Sequence, residues 1–157
     1  MNICGYESEN FVNGKGVRTC LWVSGCPHRC DGCFNRKFWA FDSGNPFTEE
    51  DMNALLKDLG RSFITGLTIL GGEPLAPENI EGVIKVILRV RAVYGDTKDI
   101  MVYTGYTFDH VPQRVLDLVD VILDGKYEKD NPTKKPFRGS DNQHYYEKKD
   151  GQWVMID

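Results

Sequence analysis

"SGCPHRCDGCFN", Ser24 to Asn35, carries three cysteines, Cys26, Cys30 and Cys33, in one short loop. Only two others, Cys4 and Cys20, occur in the chain. The segment before the loop, "GVRTCLWVS" (Gly16 to Ser24), is β-branched and aromatic-rich and stops at Gly25, which predicts a strand. The thiols therefore sit at a strand's C-terminal end. Their neighbours Pro27, His28, Arg29, Asp31 and Gly32 are too polar for cysteines buried as small hydrophobes.

The same strand grammar repeats downstream. Thr48 N-caps "EEDMNALLKDLG", with Asp51 at N3 as a weaker capping box. Met52, Leu55, Leu56 and Leu59 fall at helical spacing, and Gly60 suits the C-terminal cap. "GLTILGGEP", Gly66 to Pro74, is a second apolar strand running into a glycine pair. A long helix follows from about Pro77 to Tyr94, with Ile80, Val83, Ile84, Ile87 and Leu88 as its buried stripe and Gly95 as its stop. "DIMVYTGY" is a third strand ending near Thr104. A short helix, Val111 to Leu118, leads to a fourth strand, Val119 to Gly125.

Strand–helix alternation favours parallel strands with crossover helices. The strands are apolar throughout, as strands covered on both faces are. The chain is 157 residues long, and a closed eight-stranded barrel needs about 250. The expected fold is therefore α/β, an open, partial (βα) barrel of parallel strands with outer helices. The core spans about residues 11–125 of one domain covering 1–157. The polar tail, 126–157, ends in "HYYEKKDGQWVMID", a hairpin turning at Asp150-Gly151, a dipeptide suited to a type I′ turn.

Composition narrows the function. The net charge is −4, without the strongly basic face of a nucleic-acid binder. No apolar run approaches the ~18 residues of a membrane span. The N-terminus lacks the basic and apolar regions of a signal peptide. A cytoplasmic protein with reduced thiols is expected, and clustered cysteines there point to metal binding or catalysis.

Two chemistries suit the loop better than a lone redox or nucleophilic thiol. A closed structural zinc site needs four protein ligands, so His28, Cys20 or a distant residue would complete it, giving a non-catalytic binding module. An iron–sulfur cluster is the other: thiolates at two- and three-residue gaps are its usual ligands. Three thiolates on a [4Fe-4S] cluster leave one iron open to a substrate. Gly71, Gly72 and Glu73, at the end of the second strand, should face the cysteine loop, since parallel strands gather ligand sites at their C-terminal ends. Bare backbone at the glycines would approach a ligand, and the Glu73 carboxylate would meet a positive charge such as an amino-acid ammonium. Thr104, Gly105 and Tyr106 end the third strand at the same edge. Asp124 ends the fourth and is a candidate for a ribose hydroxyl or a cation. Arg18 is read as solvated or meeting a carboxylate, and Lys134, Lys135 and Arg138 as a basic patch.

C-x3-C-x2-C after a first strand resembles the signature of radical S-adenosylmethionine enzymes. More of the chain, "FVNGKGVRTCLWVSGCPHRCDGCFN", "FITGLTILGGEPLAPEN", "VYTGY", "VILDGKYEK" and "FRGSDNQ", resembles the activating proteins of anaerobic (class III) ribonucleotide reductase. The resemblance runs from about Phe11 to Gln143. It implies Cys26, Cys30 and Cys33 as cluster ligands, Gly32, Cys33 and Phe34 lining an S-adenosyl-L-methionine pocket, and Gly72 as a backbone contact to the methionine end. It further implies reductive cleavage of S-adenosylmethionine to a 5′-deoxyadenosyl radical. That radical would generate a glycyl radical on the large subunit of the anaerobic reductase, with electrons from a low-potential donor. Activation of another glycyl-radical enzyme, or small-molecule radical chemistry, shares the cluster motif. Three departures stand out: Lys15 where Pro is frequent, Glu73 where Asp is frequent, and Gly32 where the wider superfamily often has an aromatic. Phe34 offers a ring one place later. His110, His144, Cys4 and Cys20 receive no role.

Overall fold

The first ten residues form a strand that the sequence reading does not contain. In the computed structural model, which describes residues 1–156, β1 (Asn2–Asn10) pairs antiparallel with β2 (Val17–Val23). A two-residue strand, β3 (Asn45–Pro46), pairs with the far side of β1. The polar run "ESEN" gives β1 little strand propensity. Its identity comes from ladder hydrogen bonds to β2, which a local pattern does not reveal.

α1 (Glu49–Leu59) starts where expected. Thr48 accepts a hydrogen bond from the Asp51 backbone N–H and the Asp51 carboxylate accepts one from the Thr48 N–H, a complete reciprocal box. β4 (Ile64–Gly71), α2 (Ile80–Tyr94), β5 (Asp99–Tyr103), α3 (Gln113–Leu116) and β6 (Val121–Asp124) follow in strict alternation. α2 begins three residues later than its apolar pattern predicts. Asn79, just before it, spends its side-chain amide on the carbonyls of Ser24 and Glu73. α3 is shorter than expected because Val111, preceding Pro112, is extended. β7 (His144–Lys149) and β8 (Gln152–Ile156) close the chain as the expected hairpin, with Asp150 and Gly151 both at positive φ.

All eight strands form one open sheet in the order β3-β1-β2-β4-β5-β6-β7-β8. Only β2, β4, β5 and β6 are parallel to their neighbours in that central block. The flanking strands are antiparallel. The sheet is thus mixed, which corrects the expectation of a purely parallel array.

Side chains alternate across the strands. Leu21, Val23, Leu67, Ile69, Ile100, Val102 and Ile122 face the helices. They pack with Met52, Leu55 and Leu59 of α1, Val83, Ile87 and Val90 of α2, and Val115 and Leu116 of α3. The other face carries no helix. Met101, Val121, Leu123 and Tyr145 form a small apolar cluster there, and beside it the sheet opens into a cavity. Among the described residues no helix is long and apolar enough to cross a membrane.

Candidate active site

The cavity holds about 560 Å³ and lies at the C-terminal ends of β2, β4 and β5. Trp22, Leu70 and Tyr103 form its floor. The thiol-bearing side chains of Cys26, Cys30 and Cys33 line it together with Phe34, Gly71, Gly72 and Glu73, so the structure brings the cysteine loop and the glycine pair to one space. Gly32 stands in the same loop at positive φ, against the Lys129 side chain.

Backbone geometry makes this convergence. Gly25, at φ +95°, turns the chain out of β2, and a Cβ there would overlap the Phe41 ring. The backbone N–H groups of Gly25 and Cys26 then donate to the carbonyls of Phe38 and Trp39, strapping the loop's base to the segment that follows it. Positive φ at Arg29 and Gly32 curls the loop between the thiols. Gly72 lies so close to β2 that a Cβ would sit 2.5 Å from the Gly25 carbonyl oxygen. The Glu73 N–H donates to that oxygen at 2.7 Å.

All five cysteines are free thiols. Burial pushes the Cys26 thiol up to about 11, although the backbone N–H groups of His28 and Arg29 face its sulfur and partly offset this. Burial also raises Cys30, against the Tyr127 backbone N–H. A thiolate at these positions wants a cationic partner, which a metal centre provides. A structural zinc takes four donors on one ion at about 2.0–2.3 Å. A four-iron cluster spreads its thiolate ligands over separate irons, and three soft donors on one cavity wall fit that donor set.

Glu73 lines the cavity and is also held from within the chain. It is 1% exposed. Its Oε1 is 2.7 Å from His28 Nε2 and accepts from the Gly105 N–H at 2.6 Å. Its Oε2 accepts from the Leu75 N–H and the Thr104 hydroxyl, both at 2.8 Å. Four partners within the chain occupy the carboxylate that was expected to meet a ligand's ammonium group.

Asp124 is likewise taken. It does not line the cavity, and its two oxygens accept from the backbone N–H groups of His144 and Phe108. It braces the end of β6. Arg18, read as solvated or carboxylate-bound, is 2% exposed and ion-paired with Asp99. Thr104 and Gly105 do line the cavity, whereas Tyr106 packs its ring edge-on against His28, 4.6 Å between centroids.

Several site residues had no role beside a cluster assigned from sequence, His28 being named there only as a fourth zinc donor. His28 lines the cavity, with only 7% of its side chain exposed. Asn35 donates its side-chain amide to the Gly71 carbonyl at 2.9 Å and its backbone N–H to Cys33 Sγ at 3.4 Å. "FRGSDNQ" folds back to form the wall farthest along the tail. Gln143 Oε1 accepts from the Gly139 and Ser140 N–H groups, while its amide donates to the Gly125 carbonyl. Gln143 is only 9% exposed, which nothing in the polar tract around it announces. Lys129 pairs with Asp31, and Tyr127 packs on Phe34 at 5.0 Å, so the tail also covers the cysteine loop.

The chain is similar to known proteins over most of its length. The family model described as "4Fe-4S single cluster domain" matches residues 12–146, a span containing all three loop cysteines. The anaerobic ribonucleoside-triphosphate reductase-activating protein of Enterobacteria phage T4 is 47% identical over 145 residues, 92% of each chain. Its counterparts in Pasteurella multocida and Escherichia coli K12 are 41% and 40% identical. They match over 93% and 91% of this chain and 97% and 96% of their own. With identity at that level over nine-tenths of its length, the chain belongs to the family of anaerobic ribonucleoside-triphosphate reductase-activating proteins.

Proposed function

We propose that this protein is a radical S-adenosylmethionine enzyme that generates a glycyl radical on the large subunit of an anaerobic ribonucleoside-triphosphate reductase. The observation that carries the reading is the meeting of three free thiols and the Gly71-Gly72 backbone in one cavity. Cys26, Cys30 and Cys33 would hold a [4Fe-4S] cluster. When bound, that cluster supplies one electron to the sulfonium of S-adenosylmethionine, releasing methionine and a 5′-deoxyadenosyl radical.

The chain's own part is placement. Gly71 and Gly72 offer side-chain-free backbone for the methionine end of the ligand. Gly32, Cys33 and Phe34 supply a flanking wall, with the Phe34 ring backed by Tyr127. Trp22, Leu70 and Tyr103 give an apolar floor that excludes water from the reacting end. Glu73 and Asp124 act as braces. The helix-free face of the sheet is the open side of a partial barrel through which a protein segment enters. A reducing cytoplasm and a low-potential electron donor complete the setting.

The test is electron paramagnetic resonance of the anaerobically reduced protein mixed with S-adenosylmethionine and its reductase. A glycyl radical on the reductase supports the proposal. Metal analysis giving one zinc and no sulfide, in place of about four irons with matching sulfide, would overturn it in favour of a binding module.

A further inference from the structure

Two side chains of the cysteine loop reach across to the end of β4. At one end of the loop, His28 Nε2 meets Glu73 Oε1 at 2.7 Å. At the other, the Asn35 amide donates to the Gly71 carbonyl at 2.9 Å. His28 lies midway between Cys26 and Cys30, and Asn35 is two residues beyond Cys33.

We propose that His28 is a positioning residue that fixes the separation between the three thiols and the Gly71-Gly72 backbone, acting through its contact with Glu73. The proposal rests on the functional reading above. A ligand that touches the cluster with one end and the glycine backbone with the other needs both anchors at a set spacing.

Three observations carry it. First, Glu73 is held independently of His28. The Gly105 N–H, the Leu75 N–H and the Thr104 hydroxyl fix its carboxylate to β4 and β5, so it presents a rigid acceptor to the loop. Backbone N–H groups and a hydroxyl already supply the other three bonds. The remaining contact is therefore the imidazole Nε2–H donating to a carboxylate oxygen.

Second, the ring has no room to move away. Tyr106 packs against its face edge-on, and Gly105 approaches so closely that a Cβ would lie 2.5 Å from His28 Cδ2. Third, the contact is dry: the side chains are 7% and 1% exposed. A charge-assisted hydrogen bond in such a place is about twice as strong as a neutral one. Residues that orient metal ligands from behind typically shift affinity or activity by about 10–100-fold when lost.

The experiment compares His28→Leu and His28→Gln with the parent chain, each anaerobically reconstituted. Leu removes the donor, whereas the Gln amide can still reach Glu73. Iron and sulfide content, equilibrium affinity for S-adenosylmethionine, and the change that this ligand induces in the electron paramagnetic resonance spectrum of the reduced cluster are measured. The expected result is parental iron content in both variants. S-adenosylmethionine affinity falls about tenfold in His28→Leu, its ligand-induced spectral change is diminished, and both recover substantially in His28→Gln.

Parental affinity and spectral response in His28→Leu would overturn the proposal. So would loss of iron in both variants, which would make His28 an assembly determinant and not a spacer. If the parent chain itself shows no spectral response to S-adenosylmethionine, the functional reading fails, and that result is distinct from either outcome for the variants.

Discussion

Gly72→Ala tests the close approach on which the site depends, without cluster or ligand. The added Cβ would stand 2.5 Å from the Gly25 carbonyl oxygen, 2.7 Å from the Val23 carbonyl oxygen and 3.0 Å from the Gly25 nitrogen. All three are backbone atoms, so no side chain can rotate out of the way. The ends of β2 and β4 must separate. Overpacking of this kind costs about 1–3 kcal/mol. The Glu73 N–H to Gly25 carbonyl bond, 2.7 Å long, stretches with it, for about 1 kcal/mol more. At this chain length each kcal/mol moves the thermal midpoint by about 2–4 °C. The apoprotein variant should therefore melt roughly 4–16 °C below the parent. Circular dichroism of both chains in anaerobic, reducing buffer reads this directly. Gly151→Ala serves as comparison: φ is +77° there but nothing lies within 4 Å, so only the left-handed strain of about 1–2 kcal/mol applies. A Gly72→Ala midpoint within about 2 °C of the parent would refute the reasoning that backbone contact holds these two loops together.

Cys30→Ala is expected to lose the cluster and S-adenosylmethionine cleavage together, measured as iron per chain and methionine released. A variant cleaving at the parental rate would remove Cys30 from the ligand set. Arg18→Met strands the Asp99 carboxylate and frees the Thr68 hydroxyl and Leu67 carbonyl that the guanidinium now contacts. Chemical denaturation should show a loss of about 3 kcal/mol. Alkaline pH should destabilise the fold. Burial pushes the Cys20 thiol up to about 12, and burial raises the Tyr103 phenol as well. Their stabilisation is complete below the ordinary thiol range. It is lost as pH rises from about 9 toward 12, where the unfolded chain ionises first. A urea midpoint that is lower at pH 10 than at pH 8 is the expected reading, and an unchanged or higher one would count against it.

The fold was most legible where one residue type has one physical job. Thr48 with Asp51, Gly60 and the Asp150-Gly151 turn all stand where local chemistry puts them. The four parallel strands announced themselves as short, mostly apolar runs between helical segments, although only one face is covered by helices and the other carries Arg18, Thr68 and Asp99. β1 did not, because a strand held by its ladder needs no apolar signature. The site divides in the same way. Three clustered thiols and a glycine pair, each at the end of an expected strand, pointed to one edge of the sheet, and the structure brings them to one cavity. The roles of Glu73 and Asp124 depended on which donors the fold brings to each oxygen, and four of those donors are backbone N–H groups, which no sequence pattern marks.

Arg18 shows why the thiol-lined cavity lies at one end of the helix-free face. Arg18, Thr68, Asp99 and Met101 occupy the N-terminal half of that face. Residues 11–16 cross it, with the Asn13 carbonyl accepting from the Thr68 hydroxyl and Gly14 lying against Arg18 and Met101. Lys15 then reaches Glu147 on β7 and lies over the Tyr145 ring. Each of these charges has a partner inside the chain, which ties the loop down and leaves a smaller cavity of about 170 Å³ beside Arg18 and Asp99. In the C-terminal half Trp22, Leu70 and Tyr103 take the same inward positions without charge, and the space above them stays open to the thiols. Val12 and Asn13 form the boundary, lining the cavity at the point where the crossing loop ends. A buried arginine that looked incidental in the sequence thus ties the crossing loop to one half of the sheet, while the cysteines and glycines meet over the other.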